Sequence, residues 1–254
     1  MKRRTSCFVL AALILVSVAV PSESFAQDAY GHVSGQFVLE GEIPKLEPPK
    51  IAGKDAEVCS VNPPLPNNTL IVDPKTKGIA NIVVYLKKVD AIHPKLKRSK
   101  EETVEFDQKN CRFTPHVLLV RTDQTVMVKS DDPINHNTHT HPFRNQELNF
   151  LVRPNDREGE PVKYEQPEFL PTPVNCDLHP HMKAYWLILD HPYMALTDAE
   201  GKFKIENLPE GDYKFTVWHE KVGYIDREFA VEIFAGETDD KGKISVPVSK
   251  FKLE

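Results

Sequence analysis

The stretch Cys176-Asp177-Leu178-His179-Pro180-His181-Met182 constrains this chain more than any other. It places a thiol, an imidazole and a thioether on one short loop, in the order Cys-x-x-His-x-x-Met. A soft thiolate, a borderline imidazole and a weak thioether together suit copper better than other common metals. A trigonal site with a weak axial sulfur needs one more imidazole, brought from elsewhere in the fold. Asn135-His136-Asn137, about forty residues upstream, can supply it. Val174-Asn175 leads into the loop and the apolar run 184–189 leaves it. Both read as buried strands, and a turn between two such strands holds ligands rigidly.

The rest of the chain carries the same texture. Val, Thr, Phe and Tyr recur in short runs, Pro is frequent at 21 residues, and long helical periodicity is absent. This pattern predicts an all-β protein. Strands are expected at 31–40, at 70–72, and at 79–86, where a continuous apolar run implies burial on both faces. Further strands are expected at 104–107, 117–120 and 125–129, with a turn at 130–133 leading to His136. A weak strand is read at 162–169. Beyond Met194, alternating runs at 202–205, 213–218, 228–234 and 243–248 are separated by turns at 197–201 and 208–212.

Two family resemblances follow from these residues. The loop resembles the copper-ligand loop of the cupredoxins, its spacing being closest to amicyanin, and Asn135-His136-Asn137 resembles their upstream His-Asn element. That resemblance implies His136, Cys176 and His179 as strong ligands of one type 1 copper, Met182 as the weak axial ligand, and His179 near the surface as the electron exit. It covers about a third of the chain. The Asp-x-x-Gly-x-Phe, Leu-Pro-x-Gly-x-Tyr and Gly-Tyr elements around 198–224 are similar to the carboxypeptidase regulatory-like fold, a small prealbumin-like β-sandwich. Gly31-His32-Val33-Ser34-Gly35 and Val83-Val84-Tyr85-Leu86 match its opening strands, but they precede the copper region. The expected fold is therefore a cupredoxin-like Greek-key β-sandwich, residues 103–191, inserted into a prealbumin-like β-sandwich split between 30–96 and 193–254. Two domains in series with an N-terminal extension is the alternative.

The N-terminus reads as a signal peptide. Lys2, Arg3 and Arg4 precede an apolar core at 8–20, and Ser24-Phe25-Ala26 offers small residues for cleavage after residue 26. A membrane anchor is the rival, but the run is short and Pro21 and Glu23 follow it closely. No other stretch could span a bilayer. The expected location is periplasmic or secreted. Removing Cys7 leaves three cysteines, an odd number in a compartment that oxidises paired thiols. If copper claims Cys176, Cys59 and Cys111 remain as a candidate disulfide. A Cys111–Cys176 pair would instead abolish the site.

Other histidines leave alternatives open. His181 is a surface histidine or a replacement for His179. His139 and His141 alternate, so they share one face while His136 faces the other way. They form a polar edge or, with His181, a second, weaker metal site. His116 reads as structural or as a neighbour of the copper. Zinc is the main rival metal, held by Cys and His with a carboxylate or water. The net charge of -5 and the lack of long basic runs argue against nucleic acid. With no His-Glu-x-x-His element, nucleophile elbow or phosphate loop, the expected role is a one-electron carrier and not an enzyme. Its implied partners are a periplasmic dehydrogenase and a c-type cytochrome. The alternatives are a surface- or carbohydrate-binding module with a storage or vestigial metal site, and a copper enzyme using the extra histidines.

Overall fold

A computed structural model describes residues 29–53, 55–60 and 64–253. The expected leader, 1–26, lies outside these. The expected all-β class holds: among the described residues sixteen strands form four sheets, and the helices are single turns. No helix among the described residues is long and apolar enough to cross a membrane.

The sheets stack as four layers. The first pairs β13 (Lys202–Pro209), β1 (Tyr30–Glu40) and β16 (Thr238–Pro247) in that order. The second runs β12 (Met194–Leu196), β2 (Val83–Tyr85), β14 (Gly211–His219) and β15 (Gly223–Ile233). The third runs β5 (Val117–Arg121), β11 (Lys183–Leu189), β10 (Thr172–Asn175), β7 (His136–Thr140) and β8 (Leu148–Val152). The fourth runs β4 (Phe113–Thr114), β3 (Thr103–Gln108), β6 (Thr125–Ser130) and β9 (Glu160–Val162). Strands from the two ends of the chain thus pair with each other in the first two sheets, and 103–189 supplies all of the last two.

Side-chain alternation builds the cores between layers. Val33, Phe37, Phe203 and Val246 meet Val84, Phe215 and Val231 between the first two sheets. Val83, Tyr85 and Trp218 turn the other way and meet Val117, Leu187 and Leu189 of the third sheet. Trp186 and Ile188 point from the back of β11 to Phe106, Val126 and Val128 of the fourth. Strands β2 and β11 are therefore buried on both faces, as the run at 79–86 led one to expect for β2. The turn closing on Gly201 admits no side chain there. Its φ is +80°, and a Cβ would stand 2.3 Å from the Phe37 carbonyl oxygen.

Some expected strands differ. Residues 70–72 give a single bridge, Val72 to Ile79, because Asp73 accepts the amides of Lys75 and Thr76 and turns the chain at once. The strand read at 162–169 ends at Val162, where Pro167 and the turn around Glu168 follow. Strand β8 had no counterpart in the sequence reading.

Candidate metal centre

The third sheet sorts its residues by face. On β7, His136, Thr138 and Thr140 point inward and are fully buried, whereas His139 is half-buried on the outer face. On β10, Thr172 and Val174 point inward, and Cys176 continues that phase just past the strand end. The loop then turns through His179 to Met182. It is closed by the Met182 amide on the His179 carbonyl at 2.8 Å and the Cys176 amide on the Met182 carbonyl at 3.3 Å.

Three donors converge there. His136 Nδ1 and His179 Nδ1 lie 3.0 Å apart, and Cys176 Sγ is 3.6 Å from His179 Nδ1. The ligand atoms of His136, Cys176 and His179 all lie within 4.8 Å of one another, and all three residues are buried. Met182 is 1% exposed in the core that holds Cys176. Cys176 is a free thiol, and Cys59 is bonded to Cys111, which removes the competing Cys111–Cys176 pairing. His179 supplies the imidazole beside Cys176; His181 stands next to it with ring centroids 6.1 Å apart and Nε2 unpartnered.

Carboxylates fix the outward nitrogen of each imidazole. His136 Nε2 is 2.9 Å from Asp132 Oδ2, and His179 Nε2 is 3.2 Å from Asp55 Oδ2. Donating Nε2–H to a carboxylate leaves each Nδ1 lone pair directed into the site, which is how proteins orient metal-binding imidazoles. Burial disfavours a charged His136, but Asp132 and the Cys176 sulfur outweigh it and push its pKa up to about 9, so its Nδ1 lone pair becomes available to a metal only as that proton leaves. Burial and the neighbouring His136 hold His179 below the usual imidazole value, against the pull of Asp55. Two buried imidazole nitrogens and a free thiol converging on one point fit a soft or borderline metal ion.

Asn137 ties the loop to β7. Its amide points at Cys176 Sγ from 3.4 Å, and its Oδ1 accepts the amides of Asp177 at 2.7 Å and Leu178 at 3.3 Å. Asp132 also accepts the amides of Asn110 and Cys111, at 2.6 and 2.8 Å, so one carboxylate joins the cystine turn to the His136 ring. Asn137 sits in the motif read from sequence. Asp55 and Asp132 gave no signal, since loops of no fixed period bring them in.

The edge at His179 departs from expectation. The family resemblance implies an imidazole near the surface, yet His179 is 3% exposed. Asp55 meets His179 just before the helical turn α1 (Ala56–Cys59), and the cystine fastens this strap to Cys111. His116 lies away from the centre, between Asn68 Nδ2 at 3.0 Å and the buried Glu220 carboxylate. His139 and His141 adjoin Glu147, not His181.

No family model matches the chain, and no curated protein does. Among the solved structures similar to part of it are a purple cupredoxin, amicyanins and a copper-containing nitrite reductase. A purple cupredoxin from Nitrosopumilus maritimus aligns at 14% identity over 33% of this chain and 97% of its own, with a TM-score of 0.28. An oxidised amicyanin variant aligns at 13% identity over 35% and 84%, with a TM-score of 0.30. A copper-containing nitrite reductase from Thermus scotoductus aligns at 19% over 34% of this chain but 22% of that one, with a TM-score of 0.28. Likeness at this level decides neither ligands nor role.

Proposed function

We propose that this chain is a periplasmic or secreted type 1 copper protein that carries one electron at a time. The observation that supports it is the meeting of His136 Nδ1, His179 Nδ1 and Cys176 Sγ, with both outer imidazole nitrogens held by carboxylates. Met182 is the proposed weak axial ligand. Copper bound there supplies a single-electron couple. The residues of the chain do the rest. Asp132 and Asp55 hold the rings, Asn137 holds the sulfur and the loop, and the buried surroundings keep water out. A site fixed in this way changes little between two charge states.

The proposed partners are redox proteins such as a periplasmic dehydrogenase or a c-type cytochrome. Leu178, 44% exposed and next to His179, gives the ligand loop an apolar contact point. Titration of the purified protein with copper(II) tests the reading. An intense blue band that saturates with one copper per chain, whatever further copper binds without colour, and is lost in Cys176→Ser, is the expected result. Metal uptake without the band points to storage or zinc and overturns the carrier.

A further inference from the structure

The outer face of the third sheet carries a second cluster. Period-two alternation sends Asn137, His139 and His141 to this face while His136 points into the core. The turn before β8 brings Glu147 beside them. His139 Nε2 is 2.5 Å from Glu147 Oε1, His141 Nδ1 is 3.8 Å from the same oxygen, and the two imidazole centroids are 4.1 Å apart. From the ligand loop just past β10, Asp177 places both carboxylate oxygens 3.1 Å from His139 Nδ1.

We propose that His139, His141 and Glu147 form a second metal site, for a borderline divalent cation of the zinc(II) or copper(II) class. Two imidazoles and one carboxylate, with room left for water, form the donor set that such ions take. Calcium and magnesium prefer all-oxygen shells. The site is built, not merely crowded. Asp177, which orients His139, receives the side-chain amides of Asn137 at 3.0 Å, Asn149 at 2.9 Å and Asn175 at 2.7 Å. The turn that delivers Glu147 is pinned by Glu168, 1% exposed, which accepts the amides of Phe143, Arg144 and Asn145. Glu147 itself is exposed and can swing to open the short His139 contact around an ion.

This site stands independently of the buried one, and its test excludes that site's thiolate. Full-length Cys176→Ser protein is titrated with zinc sulfate by calorimetry. Adding His139→Ala and His141→Ala should lower the zinc stoichiometry by one ion per chain. Glu147→Gln, at an exposed position that leaves the fold intact, should weaken that ion at least about tenfold. An unchanged stoichiometry in the histidine variant, unchanged affinity in Glu147→Gln, or no zinc bound by Cys176→Ser overturns the proposal.

Discussion

The core between the first two sheets and the core between the last two are both all-β, yet they are put to different uses. The first is lined by Val, Ile, Leu and Phe from the two ends of the chain. The second gives up apolar packing at one end, where Asp132, His136, Asn137 and Thr138 are buried with Cys176. Burying polar groups is tolerable when each is bonded, and here Asp132 and Asn137 meet that need while also aiming the ligands. One core provides stability, and the other spends some of it on geometry.

The two cores therefore respond differently to damage. Phe215→Ala empties a fully buried position in the first core and should cost about 3–5 kcal/mol in urea unfolding. Copper stoichiometry should stay unchanged while the protein remains folded. Parallel loss of metal binding below the unfolding transition would erase the distinction. Removing the cystine by Cys59→Ala with Cys111→Ala opens a loop of sequence separation 52 and should cost about 2–4 kcal/mol. Here the change should reach the site, seen as faster reaction of the copper with a small reductant once the strap is loosened. Asn137→Ala should leave the fold standing and weaken copper about 10–100-fold, because Asn137 orients the loop without itself being a proposed ligand.

The smallest effect concerns pH and belongs to the first core. Burial, with His116 and Lys221 nearby, lowers the pKa of His219 to about 3. The folded chain keeps this ring neutral, while the unfolded chain protonates it near 6.5. Stability is therefore present above 6.5 and drains as pH falls toward 3. The loss should be on the order of 1 kcal/mol between about pH 6.5 and 5.5, and His219→Leu should flatten that slope.

Much of this was legible in the residues. The run at 79–86 shows double-sided burial in its own composition, and alternation alone separates His139 and His141 from His136. The pairing of Cys59 with Cys111 could be reached by counting once Cys176 was set aside for metal. The rest depended on tertiary approach. Asp55 reaches His179 across a sequence gap of 124, and Glu147 comes from a turn held by Glu168, so no local period marks either. The burial of His179 was hidden for the same reason. The segment that meets it, Asp55 and α1, is fastened by a covalent link that no local pattern marks.

Strand β1 lies parallel to β16, with Glu40 opposite Pro247. During synthesis β1 must wait for β16 before that edge is filled. The stretch 103–189 holds every partner its own strands require and emerges in between. A growing chain can thus complete the ligand-bearing sheets while the flanking halves are still unpaired, and closure over such a long separation comes late and slowly. The strands on either side of 103–189 act as a clasp, fastened after the contents are in place.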